Sequence, residues 1–505
     1  MKPIRDKFIL LFTPHSCREG RRMPPLGLLA ISALLDKEGY DIRILHSYDK
    51  DDYEEVLQHL DKAICVGITS MTGYQIYDGL KFAKLVRDKN PSIPIIWGGI
   101  HPTIKPIQTV EHPLVDIVVK GPGEDIFTEL VHRLDKKISY DDVLGITYKK
   151  GNKIIDNNPR PFKSINEYPA LPYHLLNDFI ARYIKKNEFA KRSLSYITSM
   201  GCPFLCAFCY LANPYFSRKW EAYSAERVLG EIEYLVKKYD LDGIDIRDSN
   251  FFVDIERVRK ICRGLIEKGL NIVLSGVNGR TDQLVRCNDQ DWQLFKDAGI
   301  KEILIGAESG DQDMLNLINK QNLVENTLQC EKMAKKYGIN IFNSFMTSFP
   351  PLTDNSREIA RILKRELDKT VDLIRRIFEI NPIANIVLFW YTPYFGTPLY
   401  ELALKRGLKD PDHLEEWGNI DLTHSVTPWT SKKHIRKVLL LRILIIIKKI
   451  TSKEYTKLKT GWKDVLFKKF GLYLLLNWWV SLRLKHKFYF FPFEKTLFLF
   501  NKLIK

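Results

Sequence analysis

Cysteine is scarce in this sequence, and most of it is isolated. Of the eight in 505 residues, Cys17, Cys65, Cys262, Cys287 and Cys330 stand singly. Such scatter gives no disulfide framework and points to a reducing compartment, the cytoplasm. The N-terminus lacks a signal-peptide core: its apolar run, Phe8 to Phe12, is too short and reads as a first strand. No internal repeat or low-complexity stretch is present. Acidic charge is nearly missing from one region only. Residues 431–505 hold 19 Lys and Arg against 3 Asp and Glu, which is the whole formal charge of +16, so the preceding residues balance. An argument from basic charge therefore concerns this tail and not the body of the protein. The tail also lacks a spanning run. Its longest uncharged stretch, Phe470 to Leu482, is 13 residues, short of the roughly 20 that cross a bilayer.

What is there is ordinary globular composition, 45% hydrophobic and 27% charged, in a chain long enough for about two to four domains. Short apolar strands alternate with helices from Lys7 to Lys120, the pattern of an open parallel sheet of the doubly wound type. In such sheets ligands bind at the carboxyl ends of the strands. The polar and glycine-rich segments fall there: Pro24-Pro25-Leu26-Gly27, Ser70-Met71-Thr72, Gly98-Gly99-Ile100-His101, and Gly121-Pro122-Gly123-Glu124. Asn152 to Tyr173 is rich in Asn and Pro and reads as a linker with strand pieces. A second α/β run follows with six strand–helix units, ending in a helix from Arg357 to Asp368 and a strand from Ile386 to Trp390. Six units suit a partial barrel with function at the strand C-termini.

The first strand of that run leads into Cys202, Cys206 and Cys209, with spacing C-x3-C-x2-C. Three thiolates on a compact loop suit soft iron ligation. No nearby fourth Cys or His closes a structural zinc site. Three ligands leave one iron of a cluster with an open position.

With its flanks, Thr198 to Tyr210, this motif resembles the signature of the radical S-adenosylmethionine (SAM) superfamily, and Phe208 is the aromatic position typical of it. The resemblance implies a [4Fe-4S] cluster whose open iron chelates SAM. One electron then cleaves SAM and yields a 5′-deoxyadenosyl radical that takes a substrate hydrogen. Gly306-Ala307-Glu308-Ser309-Gly310 resembles the strand end at which the family holds SAM, with Glu308 at the ribose hydroxyls. Asp248 and Asn250 follow the second barrel strand, where the family binds the SAM amino group. Arg280, after the third, is placed to pair the SAM carboxylate. Each of these also reads as an ordinary strand-end turn. Tyr391 to Pro398 resembles a segment of the cobalamin-linked branch, which usually has Pro where Phe395 stands.

The N-terminal sheet extends the resemblance to the cobalamin-binding class of radical SAM proteins. Leu26, Gly27, Ser70, Gly98, Gly99, His101, Gly121, Gly123 and Glu124 are the implied cobalamin contacts. No D-x-H-x-x-G occurs in the chain, so no histidine is placed to ligate cobalt. His101 is expected to line the corrin as a loop residue. The expected fold is thus α/β throughout. A flavodoxin-like (Rossmann-type) cobalamin-binding domain (1–145) is followed by a linker (146–192) and a partial (β/α)6 TIM-like radical SAM barrel (193–415). A basic amphipathic helical region (416–505) completes it. The tail has three open readings: helices on an anionic membrane surface at the inner face, a helical cap over the barrel, and nucleic acid, which weighs least. The expected activity is modification of an unactivated carbon, foremost methylation. The alternatives are ring or C–C bond formation in lipid, porphyrin or natural-product synthesis, and a cobalamin sensor with a degenerate barrel. A small-molecule or lipid-like substrate and an electron donor of the flavodoxin or ferredoxin class are the partners implied.

Overall fold

The computed structural model describes residues 6–15, 23–48, 53–216, 219–420, 427–452, 454 and 472–489. Cys17 and tail residues 455–471 and 490–505 lie outside the described residues.

Seven strands form the first sheet: β1 (Phe8–Thr13), β2 (Asp41–His46), β3 (Ala63–Thr69), β4 (Ile95–Gly98), β5 (Ile117–Val119), β6 (Ile146–Lys150) and β7 (Lys153–Asp156). Their order is β2-β1-β3-β4-β5-β6-β7. The pairs up to β5 are parallel, and β6 and β7 add on antiparallel. The order reverses between β1 and β3, which opens a crevice at their carboxyl ends. Alternation along β1 explains its two-sided burial. Ile9 and Leu11 pack with helices α1 (Leu26–Lys37) and α2 (Glu124–Asp135), whereas Phe8, Leu10 and Phe12 pack on the opposite face with Leu80, Val86 and Trp97. The β6–β7 hairpin was expected to begin a linker. It instead finishes the sheet, because β6 pairs Ile146 to Val119 and Tyr148 to Ile117.

The second unit holds β8 (Ser193–Tyr196), β11 (Gly243–Ile246), β12 (Val273–Ser275), β13 (Val277–Gly279), β14 (Glu302–Glu308), β15 (Asn340–Thr347) and β16 (Asn385–Trp390). They pair in parallel as β12-β11-β8 and β13-β14-β15-β16. Gly276 separates β12 from β13. Its φ of +66° and a virtual Cβ only 2.1 Å from Asp245 Oδ1 leave no room for a side chain. The third strand is therefore one kinked strand, and the whole is a six-stranded partial barrel. A small antiparallel hairpin, β9 (Ser199–Gly201) with β10 (Trp220–Ala222), stands at its mouth.

The barrel's last helix, α3 (Ser356–Ile380), runs twelve residues beyond the Asp368 end read from sequence. The extra turns carry Val371, Ile374 and Phe378, which pack against α4 (Lys432–Ile450) and α5 (Leu472–His486) of the tail. Leu441, Leu444, Val480 and Leu484 complete that apolar seam. The described part of the tail thus lies on the barrel. Several of its basic groups point inward: Arg442 Nε donates to Leu388 O at 2.7 Å, and Lys448 Nζ to Ser481 Oγ at 2.6 Å.

Candidate active site: the cysteine loop and a glycine-lined cavity

The three cysteines sit on a loop tied down at both ends. The β9–β10 hairpin closes its base, with Cys202 N donating to Lys219 O at 2.9 Å. Across the barrel mouth Ala207 N donates to Ile318 O at 2.8 Å, and Asn319 Nδ2 to Leu205 O at 2.8 Å. All three thiols are unpaired to one another. Burial pushes the Cys202 thiol up and the Cys209 thiol to about 12, and the neighbouring Cys206 adds to both. Burial thus favours the protonated form of Cys202 and Cys209, which would lose those protons on binding iron. Among the described residues no three His, Cys, Asp or Glu side chains stand close enough for a single metal ion. The donor set, three sulfurs on one loop with no fourth ligand, fits a multi-iron cluster. Arg280 Nη1 lies 3.3 Å from Cys206 Sγ and so brings a cationic donor to one ligand sulfur.

Glu308 ends β14 with a φ of +59° and is buried. Its Oε1 pairs with Lys320 Nζ at 2.7 Å, both side chains being almost fully enclosed. Burial works to lower the Lys320 pKa, but Glu308 and then Cys206 outweigh it, and the ammonium is held above its ordinary value. Gly306 is what admits this pair, since a virtual Cβ there falls 2.1 Å from Glu308 Oε1 and 2.6 Å from Lys320 Nζ. Phe208 packs near Phe349, with Lys320 Nζ 6.0 Å from its ring. Asn250 is buried, donating to Gln283 Oε1 at 2.9 Å, and it faces Cys202.

Two expectations at this end need correcting, and the place of a third residue, Arg280, is now defined. Asp248 is not free for a SAM amino group. Its carboxylate accepts from Thr198 N (2.6 Å), Thr198 Oγ1 (2.5 Å) and Ser199 Oγ (2.6 Å), which fixes the start of the cysteine segment to β11. Burial raises its pKa while these donors and Arg257 pull the other way. Ser309 turns away from the mouth. Its hydroxyl reaches Glu366 Oε1 and Thr370 on α3 at 3.4 Å each and accepts from Asp311 N. Arg280 is already committed: besides Cys206 it bonds Asp282 Oδ1 at 2.9 Å and Lys320 O at 2.5 Å. These contacts hold it at the cluster loop and use three of its five N–H donors.

A cavity of about 720 Å³ opens at the carboxyl ends of the first sheet. Gly27, Ser70, Gly98, Gly99, Gly121, Gly123 and Glu124 all line it. Its floor is backbone: a virtual Cβ at Gly27 meets nothing within 4 Å, and one at Gly98 only Val119 at 3.9 Å. Leu26 is half-buried against the apolar core beside α1 and is not part of the wall. His101 is not part of it either. The ring is fully buried, bonded through Nδ1 to Thr72 at 2.9 Å and lying 5.3 Å from Trp417. Burial, with Lys105, pushes its pKa down to about 3, so it is a neutral packing residue. No histidine among the described residues lines the cavity.

The cavity's polar demand suits a large organic cofactor. Ser70 Oγ, Glu124 Oε2 and Trp220 Nε1 are buried without a partner among the described residues, and all three residues line it. Its far wall was not visible in the sequence. Met200, Gly201, Tyr210 and Ser249 come from the barrel mouth, and Gly201 and Tyr210 adjoin Cys202 and Cys209 in the chain. The cavity and the cysteine loop therefore share a wall.

Residues 20–131 match the B12 binding domain family, and residues 196–363 match the Radical SAM superfamily. The chain is a cobalamin-binding radical SAM enzyme. Its cofactors are a [4Fe-4S] cluster, SAM and cobalamin. An uncharacterized methyltransferase of Pyrococcus horikoshii is 28% identical, over 85% of this chain and 91% of its own. An anaerobic magnesium-protoporphyrin IX monomethyl ester cyclase of Synechocystis is 24% identical, over 90% and 87%. Among solved structures, the cobalamin-dependent SAM radical enzyme OxsB with aqua-cobalamin bound superposes with a TM-score of 0.70 at 15% identity, covering 94% of this chain and 72% of that one. That likeness is one of fold.

Proposed function

We propose that this radical SAM enzyme methylates an unactivated carbon of a small or lipid-like molecule. The observation that carries the reading is the shared wall: the cobalamin cavity and the cysteine loop meet at Met200–Gly201 and Tyr210. When bound, the cluster with SAM supplies hydrogen abstraction and cobalamin supplies a methyl group. The chain's own part is positioning. Cys202, Cys206 and Cys209 would hold the iron, and Arg280 sets a cationic donor against Cys206. Lys320 pairs with the Glu308 carboxylate and aims it at the place where the family resemblance puts the SAM ribose. The buried rings of Phe349 and Tyr391 dry the floor of the mouth. The electron comes from a small redox protein of the flavodoxin or ferredoxin class.

The test is anaerobic incubation of the full, cobalamin-loaded protein with reductant, methyl-deuterated SAM and an extract of its own cells. A product carrying the deuterated methyl, with 5′-deoxyadenosine and S-adenosylhomocysteine, supports the proposal. 5′-Deoxyadenosine without S-adenosylhomocysteine favours ring or C–C bond formation, the activity in the name of the Synechocystis relative.

A peripheral position on anionic lipid has its own support. Leu474, Leu475 and Trp478 project from α5 at 44%, 65% and 62% exposure. They share one helix face, in the region that holds all the net positive charge. No helix among the described residues is long and apolar enough to cross a membrane. The full protein should sediment with anionic vesicles at low salt but not with zwitterionic ones, and Trp478→Glu should weaken this. Equal sedimentation with both, or with neither, defeats the reading.

A further inference from the structure

Apart from the cofactor sites, a second cavity of about 550 Å³ opens where the N-termini of α3 and α4 meet. Asn355 caps α3 by accepting from Arg357 N and Glu358 N, and Ser431 caps α4 by accepting from His434 N. Both helices point their positive ends into one space. Helix ends alone do not define a site. What distinguishes this one is His434, which lines the cavity and is 8% exposed. Its Nε2 has no partner among the described residues. A buried ring nitrogen left unsatisfied is costly unless a ligand completes it.

The charges around it are mostly positive. Lys433 and Lys437 line the cavity, and neither has a carboxylate partner among the described residues; Lys437 Nζ lies 5.9 Å from the Tyr489 ring. Lys364 and Arg406 also line it, paired with Asp368 and Asp354. Among the described residues Asp354 is the one acidic group in the lining, and Arg406 already holds it. The remaining wall is apolar, from Ile359, Leu363 and Trp429. Trp429 is rigid: its Nε1 donates to Ser348 O at 3.1 Å and its ring lies 6.5 Å from Tyr391.

We propose that this cavity binds an organic phosphate, with the phosphate at His434, Lys433 and Lys437 and the attached apolar group on Trp429. Two lysines without a carboxylate partner on the first turns of α4, beside the N-terminus of α3, select a dianion. The adjoining indole selects a carbon group, and the volume suits a small ligand. Two sources share this chemistry, a soluble organic phosphate and a phospholipid headgroup. The site does not depend on the reaction proposed above.

Calorimetric titration of the full, cobalamin-loaded protein with phenyl phosphate and inorganic phosphate tests it. Saturable binding is expected, with phenyl phosphate tighter by about tenfold, a Trp429-sized apolar contact. The pair Lys433→Glu with Lys437→Glu should cost at least about tenfold, and His434→Leu severalfold. Lys485→Glu, an equal kind of charge reversal on the exposed part of α5, should leave affinity unchanged. Retained cobalamin absorbance shows that each variant is folded. No saturable binding by the wild-type protein overturns the proposal. So does a Lys485→Glu loss as large as that of the pair. Phosphatidic acid vesicles that displace phenyl phosphate identify a lipid headgroup; failure to displace it identifies a soluble ligand, and either result supports the site.

Discussion

The cobalamin cavity and the cysteine loop stand on two sides of one wall and are built from different material. The cavity is mostly backbone. Glycines after three of the strands let the chain approach a broad ligand, and the polar side chains that face it, such as Ser70 and Glu124, are left unsatisfied. The cysteine loop is the opposite. Its charged groups have partners: Asp248 with Thr198 and Ser199, Glu308 with Lys320, Arg280 with Asp282 and Cys206. A site that receives a large preformed cofactor needs empty space, whereas a site that starts radical chemistry needs fixed charge. The two should therefore fail in different ways.

The largest separation is expected from Cys206→Ser. It should abolish reductive SAM cleavage and lower bound iron while cobalamin still loads, as read from absorbance. Gly27→Phe should do the reverse. Its side chain enters open space without a backbone penalty, so cobalamin affinity should fall at least about tenfold and 5′-deoxyadenosine release should persist. If either variant removed both cofactors, the two sites would be one unit. Lys320→Met should be milder. It leaves the Glu308 carboxylate buried without its counter-charge, a cost of about 3 kcal/mol, visible as a lower denaturation midpoint and weaker SAM retention.

The smallest effect concerns Glu366, behind Ser309. Burial pushes its pKa up to about 7, against hydrogen bonds from Thr347, Thr370 and Ser309. The folded protein thus keeps a proton that the unfolded chain releases near the ordinary value of 4.5. Stability should fall as pH rises through that window, by at most roughly 3 kcal/mol, and level off above it. Glu366→Gln should flatten the slope in denaturation midpoints measured across the window. An unchanged slope would mean the carboxyl is not protonated in the fold.

The same contrast explains what the sequence discloses. Backbone-built features were legible, because a glycine at a strand end announces close approach whatever its neighbours. The cysteine spacing was legible for a similar reason, being local. Partnerships across the fold were not. Asp248 looked like a ligand because Thr198 and Ser199, its donors, are about fifty positions away and meet it only once β8 lies beside β11. Lys320 carries no motif and reaches Glu308 from the turn before the next helix. His101 sat in the right loop, yet Thr72 and Trp417 hold its ring out of the cavity. The β9–β10 hairpin has three-residue strands with no readable alternation, yet it supplies the shared wall. The tail's mixture of Lys, Arg and Leu was equally open to a cap or a lipid surface, and its described helices bury one face and expose another.

The most direct test of the account is 5′-deoxyadenosine release by the anaerobically reconstituted full-length protein, given SAM and reductant. The account predicts SAM-dependent release from wild type and from Gly27→Phe, and none from Cys206→Ser. No release from a wild-type protein that holds its full iron complement and cobalamin would contradict it.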